Sequence, residues 1–203
     1  GDRRPPVPVG GPGLTATPLG GRTLAVGSER GLSWVDVTLG VVDGHIELAP
    51  VVAVACDPLG RFVACGDVTG ALHVVSLASG AGVELTGYPD RVELVAVAAT
   101  GSMVAAVADD EITVWALADR GVVGDAPVCW RGHEQTIVAL ASAPGAARIA
   151  SGDLDGRVVV WTPAGVATAR FETNSPIGAL AWAPEANALA IGTLDGRVHV
   201  MIV

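Results

Sequence analysis

The sequence predicts an all-β chain assembled from about five copies of one four-stranded unit, and three observations lead there. The string "SGDLDGRVVVW" (151–161) returns forty residues later as "IGTLDGRVHVM" (191–201), and self-similarity at a fixed period of about 20 to 50 residues marks a repeat architecture. Apolar residues alternate with small or polar ones in runs of four to six bounded by Gly, Pro and Asp, which is the rhythm of strands. The composition agrees: 27 of 203 residues are Gly, half are hydrophobic and only 16% are charged, which favours strands and turns over long helices or disorder.

Laid in phase, the first two runs of each copy and the turn between them read "LTATPLGGRTLAVG" (14–27), "VVAVACDPLGRFVACG" (51–66), "LVAVAATGSMVAAVA" (94–108), "IVALASAPGAARIASG" (137–152) and "IGALAWAPEANALAIG" (177–192). A polar turn and a third run follow each: "LSWV" (32–35), "LHVV" (72–75), "ITVW" (112–115), "VVVW" (158–161) and "VHVM" (198–201). These runs end at Val35, Val75, Trp115, Trp161 and Met201, spaced by 40, 40, 46 and 40 residues, with the six extra residues in "ALADRGVVGDAPVCWRG" (116–132). A weaker fourth run follows four copies: "GHIEL" (44–48), "VELTG" (83–87), "APVCW" (126–130) and "ATARF" (167–171). Four strands in forty residues make one blade of a β-propeller. One blade cannot bury both its apolar faces, so the blades are expected to stack face to face. The expected domain occupies 14–203, preceded by a Pro/Gly-rich linker at 1–13; five blades either close a small ring or form part of a larger one. The start, "GDRRPPVPVGGPG", has no signal-peptide segment and no initiator Met, and reads as a link to a neighbouring domain of a longer protein.

The fourth copy, "GHEQTIVALASAPGAARIASGDLDGRVVVW" (132–161), resembles the WD-repeat family in a degenerate, bacterial form. The positions that match the family's pattern are Gly132, His133, Ser151, Asp155 and Trp161. The resemblance implies a buried hydrogen-bonded network running from Trp161 through Ser151 and His133 to Asp155. It also implies that the last blade borrows a strand from the other terminus, for which "PPVPV" (5–9) is the candidate; proline cannot donate to a ladder, which weakens that clasp. The other copies depart from the pattern. The second has Gly44 and His45 but Cys65, Thr69 and Val75 at the Ser, Asp and Trp positions; the third keeps Trp115 with Asp109 or Asp110; the fifth keeps Asp195 but ends in Met201.

Several function classes are disfavoured. The net charge is −9, and all 12 basic residues are Arg, an Arg bias that fits a GC-rich genome; clustered cations for nucleic-acid binding are missing, since only Arg3 and Arg4 stand together. Val92–Ala108 is the most membrane-like run, but Glu93 and the Gly101-Ser102 break make two strands and a turn the better reading. Cys56, Cys65 and Cys129 form no CxxC and no even set, so reduced thiols in a cytoplasmic compartment are expected. Asp153 and Asp155 in "DLDG" suggest calcium, but the glycine runs straight into a strand, and a hairpin turn explains it better. His73 and His199 share one repeat position and make no ligand shell. Ser151, His133 and Asp155 have the residue types of a hydrolase triad without a nucleophile turn. Paired carboxylates for a central-pocket hydrolase are not identifiable, and Tyr88 is the only tyrosine for a sugar platform.

The expectation is therefore a non-catalytic protein-interaction, sensor or scaffold module, with no cofactor and no metal, acting as a regulatory domain of a larger signalling protein. A small-ligand or glycan-binding propeller is the first alternative and a central-pocket hydrolase the second. The turns between second and third strands, and the links between sheets, are expected to share one rim carrying Asp67, Asp90, Asp109, Asp110, Glu111, Glu134, Asp153 and Asp195. Such a rim suits a basic segment of a partner or adjacent domain, and solvated turn residues are the plainer reading of the same set.

Overall fold

A computed structural model describes Val7, Val9 and residues 12–119 and 121–203, without the side chains of 108 and 125. The clasp segment 5–9 and the linker 1–13 thus fall largely outside the described residues. Nineteen strands and no helix occupy the described chain. They form five antiparallel sheets in chain order, four of four strands and one of three, which is the sheet organisation of propeller blades. By internal contacts the chain divides into two units, Gly1–Val95 and Ala96–Val203.

The first unit holds two meanders. β1 (Gly13–Gly20), β2 (Thr23–Ser28), β3 (Gly31–Asp36) and β4 (Val41–Glu47) make the first sheet. The second comprises β5 (Val51–Cys56), β6 (Phe62–Asp67), β7 (Leu72–Ser76) and β8 (Gly82–Leu85). Strand alternation sends every second side chain into the seam between them, where Ala25, Leu32, Val51, Val63, Cys65 and Val75 are buried together.

The third sheet, centred in the second unit, contains β9 (Val95–Val97), β10 (Met103–Ala108), β11 (Glu111–Ala118) and β12 (Gly121–Arg131). Val92–Ala108 is thus a loop, two strands and a turn, and among the described residues no helix is long and apolar enough to cross a membrane. The six extra residues lengthen the β11–β12 hairpin instead of forming a loop. Ala118 pairs Gly121 and Ala116 pairs Val123, then the register jumps so that Val114 meets Val128; the surplus is absorbed in a bulge containing Gly124, whose φ is 89°.

The fourth sheet is β13 (Ile137–Ser142), β14 (Ile149–Asp153), β15 (Arg157–Trp161) and β16 (Ala167–Glu172). The fifth has only β17 (Ile177–Trp182), β18 (Ala188–Thr193) and β19 (Val198–Ile202). Between these two sheets lie buried Ala139, Ala150, Val158, Val160, Ile177, Leu189 and Ile191. Burying one such Val, Leu or Ile side chain stabilises by about 1.5–3 kcal/mol.

One steric device repeats at these seams. A glycine near the end of a second strand seats an apolar residue at or just before the start of the next first strand. A Cβ on Gly27 would lie 2.5 Å from Val51 Cγ1, on Gly66 2.1 Å from the Val92 carbonyl oxygen, and on Gly152 2.7 Å from Ile177 Cγ2. Val51, Val92 and Ile177 are all buried, so the small residue in "AVG", "ACG" and "ASG" is required by packing. Gly192, the same position in the fifth sheet, has nothing nearer than 3.8 Å. Gly66→Ala is therefore expected to cost about 1–3 kcal/mol through overpacking against backbone, while Gly192→Ala stays within about 0.5 kcal/mol of the parent. Thermal melts of both variants check the contrast; equal losses would refute the seat.

Candidate functional site

The densest polar cluster is built at the junction of the third and fourth sheets. β14 ends in Ser151, Gly152 and Asp153. In a strand, residues two apart share a face, so the Ser151 hydroxyl and the Asp153 carboxylate point the same way. The link between β12 and β13 delivers His133 to that face, and β15 delivers Trp161. His133 Nδ1 lies 2.6 Å from Asp153 Oδ2, and His133 Nε2 lies 2.6 Å from Ser151 Oγ. Trp161 Nε1 donates to Ser151 Oγ at 2.7 Å. A neutral imidazole carries one N–H, and the geometry has one consistent direction: Trp161 donates to Ser151, Ser151 to His133, and His133 to Asp153.

The structure brings His133, Ser151 and Trp161 together, but the carboxylate is Asp153 and not the expected Asp155. The reason is position: Asp153 is the last residue of β14 on the inward face, whereas Asp155 stands two residues on in the exposed turn. The Asp155 backbone N–H instead donates to Asp153 Oδ1 at 3.0 Å, joined there by the Arg157 N–H at 2.9 Å. Asp153 thus caps its own turn with one oxygen and holds His133 with the other. All four side chains are buried. Ser151 already engages Trp161 and His133 and has no exposed surface, so this triad of residue types has no access to a substrate. For the same reason Asp153 is withdrawn from a calcium shell; among the described residues no group of three or more His, Cys, Asp or Glu is placed to hold a metal ion.

Trp130, which sequence reasoning left as part of a weak fourth strand, belongs to the site. Its ring stacks on Trp161 with centroids 5.7 Å apart and planes 23° from parallel. Two glycines make room: a Cβ on Gly132 would meet Trp161 Cη2 at 2.7 Å, and one on Gly165 would meet Trp130 Cδ1 at 2.5 Å. The Gly before the network histidine is therefore a tryptophan seat. The signal was present in "CWRGH", where Trp130 lies two residues ahead of Gly132.

The remaining copies solve the same turn differently. Asp67, at the position of Asp153, accepts from the backbone N–H groups of Thr69 (2.8 Å) and Ala71 (3.1 Å) and from the Thr69 hydroxyl (2.7 Å). Its second oxygen holds His73 Nε2 at 2.8 Å. His73 comes from β7, beside Cys65, its cross-strand partner. Burial works to raise the Asp67 carboxyl, yet the hydrogen bonds from His73, Thr69 and Ala71 outweigh it and hold the group below the usual carboxylate value. His45, which the Gly44-His45 match marks as a network residue of the second copy, sits within β4 and is exposed, with Nδ1 2.9 Å from the Ser33 hydroxyl of β3. The fifth sheet uses Thr193 at the Asp position, and its hydroxyl donates to Asp195 at 2.5 Å. His199 packs on Phe171 at 5.6 Å. The three cysteines are unpaired; burial pushes the Cys56 and Cys65 thiols up to about 12.

The expected acidic rim is corrected in the same way. Asp67 and Asp153 are buried caps, unable to meet a partner, and Glu111 is ion-paired with Arg131. Asp90, Asp109, Asp110, Glu134 and Asp195 are exposed, as is Asp155. Within the second unit these turns are tied into one end. The Thr136 hydroxyl donates to Asp109 Oδ1 at 2.6 Å, the Ile137 N–H to the Asp109 carbonyl, the Leu154 N–H to the Thr136 carbonyl, and the Asp195 N–H to the Ser175 hydroxyl.

Residues 126–162 match the family model described as WD domain, G-beta repeat, a span that runs from the second half of β12 through the link to the end of β15. No curated protein matches the chain.

Two outcomes follow from this geometry. Asp153→Ala is expected to cost about 1–3 kcal/mol by orphaning buried donors, and Asp155→Ala to stay within about 0.5 kcal/mol; urea unfolding of both decides between the two carboxylates. Burial holds the His133 imidazole below its ordinary 6.5, against the pull of the Asp153 hydrogen bond and charge. The unfolded chain takes up that proton near 6.5 and the folded chain only at lower pH. Stability from this group is therefore full above about 6.5 and declines as pH falls through it. Melting midpoints between pH 7.5 and 5 should fall in the parent and fall less in His133→Asn; identical slopes would refute the assignment.

Proposed function

We propose that this WD-repeat chain is a non-catalytic protein-interaction and scaffold module, serving as a regulatory domain of a larger signalling protein in a reducing cytoplasm. WD repeats generally mediate protein–protein contacts and scaffolding. The observation that supports the reading most is the closure of the one Ser-His-Asp set: its hydroxyl is buried and engaged by Trp161 Nε1, so the polar chemistry of the best-formed repeat holds the fold. Three free cysteines, two of them with thiols raised by burial, suit a reducing compartment.

The contact surface we assign is the end of the second unit that carries Asp109, Asp110, Glu134, Asp155 and Asp195. Its turns are held by backbone hydrogen bonds, so their carboxylates are presented on a fixed frame, and Arg157 and Arg197 offset only part of the charge. Complementary charge favours encounter and orientation of a basic segment. A Lys- and Arg-rich test peptide is expected to bind the parent chain, severalfold less tightly after the paired change Asp110→Arg and Asp155→Arg, and less tightly in the parent as salt rises. Both positions are exposed, so the fold should be unchanged by thermal melt. Binding that is insensitive to both charge reversal and salt would overturn the assignment of this surface.

A further inference from the structure

Two turns of the second unit carry a residue that turn chemistry does not call for. Turns favour Gly, Asp, Asn and Ser, yet between the second and third strands of the fourth and fifth sheets the second position is Leu, in "DLDG" (153–156) and "TLDG" (193–196). Leu154 is 41% and Leu194 68% exposed. The fourth sheet packs against the third through Trp130 and Trp161 and against the fifth through their shared apolar core, so the exposure of Leu154 belongs to the turn itself and not to an uncovered sheet face. The second sheet has Val68 at this position, 40% exposed, but Thr69 follows it. Leu154 and Leu194 are each followed by an acid, Asp155 and Asp195.

Both leucines are fixed at the backbone. The Leu154 N–H donates to the Thr136 carbonyl at 3.1 Å and the Leu194 N–H to the Pro176 carbonyl at 2.9 Å. Residues 173–176 join the two turns: the Thr173 N–H donates to the Gly156 carbonyl at 2.9 Å, and the Ser175 hydroxyl accepts the Asp195 N–H at 3.2 Å. The leucine side chains are therefore displayed on one frame, with the exposed carboxylates of Asp155 and Asp195 beside them and Glu134 on the preceding link. Arg157, the nearest cation in sequence, is engaged by Glu134 and Glu172. Exposed apolar surface rimmed by polar groups marks a contact site. Such contacts are anchored where a large side chain loses its water inside a rim that stays wet.

We infer that this end of the second unit selects a basic segment of a partner protein by a large apolar side chain, Leu, Met or Phe, set between its Lys or Arg residues. The apolar side chain packs on Leu154, and the flanking cations face Asp155 and Asp195. The inference rests on the reading of the acidic turns as the contact surface, and it adds what charge alone does not supply, a means of choosing among basic segments. Attraction between exposed charges is diffuse and screened by salt, whereas an apolar contact depends on one side chain in one place.

Two fluorescein-labelled peptides of equal charge serve as probes of the full chain in fluorescence anisotropy, one with Phe between runs of Arg and Lys, the other with Ser in its place. The Phe peptide is expected to bind about tenfold more tightly, a gain that partial burial of one aromatic side chain allows, and to keep that ratio as rising salt weakens both. Leu154→Ser should remove the advantage and leave the affinity for the Ser peptide as it was, while Leu154→Met should retain it. Leu59→Ser, which alters a leucine 63% exposed in the β5–β6 turn of the first unit, should leave the binding of both peptides unchanged. Equal binding of the two peptides, an advantage that survives Leu154→Ser, or one that Leu59→Ser removes equally would overturn the inference. So would self-association of the chain in sedimentation that Leu154→Ser abolishes and the Phe peptide cannot compete, which would assign the leucines to a second copy. If both peptides bind alike and both weaken on the paired change Asp110→Arg and Asp155→Arg, the acidic surface stands and the apolar anchor falls; if neither binds, both readings fall.

Discussion

A sheet with apolar side chains on both faces is stable only when both faces are covered, and this constraint governs the chain. It explains why the sequence repeats: each meander must present the same two faces to its neighbours, so the same alternation has to recur at the same spacing. It also fixes where small residues stand. At Gly27, Gly66 and Gly152 the second strand is closely approached by an apolar residue of the chain leading into or opening the next first strand, and a methyl group there would collide with Val51, Val92 or Ile177. Gly192 occupies the same repeat position with open space around it, and the face it shares with Val198 and Val200 is the one that lies exposed.

Polar groups brought into such a seam must be satisfied on arrival. The turn between second and third strands shows how. An acid at its first position takes the turn amides, and its second oxygen is directed sideways. In the fourth sheet the second oxygen of Asp153 reaches His133, which reaches Ser151 and then Trp161. In the second sheet Asp67 makes the same cap but finds its histidine on the adjacent strand, His73. In the fifth, Thr193 turns to Asp195. The carboxylate cap recurs in the second and fourth sheets with a histidine drawn from a different element each time, so similar turns are satisfied by different partners.

This distinction also decides what could be read from the residues alone. The strands were legible because alternation and turn chemistry are local, and the five in-phase copies place β1 to β19 to within a few residues. Asp155 was the wrong carboxylate because Asp153 is the last residue still inside β14, two after Ser151 on the same face, whereas Asp155 has already left the strand for the exposed turn. His45 has the Gly-His dipeptide but lies inside β4, because the second copy's link comes after it, at Leu48 to Pro50. The acidic rim was over-counted since a buried cap and a solvated turn residue are the same letter; only burial separates Asp67 and Asp153 from Asp110 and Asp195. Trp130 escaped because its role depends on a stack across two sheets, which no single-strand pattern records.

Charge at the ends of strands follows a further rule. A cation or anion where the third strand begins is close enough to the end of the fourth to form a pair, and in three sheets it does so with the opposite sign. Exposed pairs of this kind add little stability, so their recurrence is better understood as control of register. A one-residue slip would take Arg157 out of register with Glu172 and turn every side chain of the fourth strand to the other face. The fourth strands β4, β8 and β16 contain no fully buried residue. They have the least burial to fix their register and the most to gain from a charge that does.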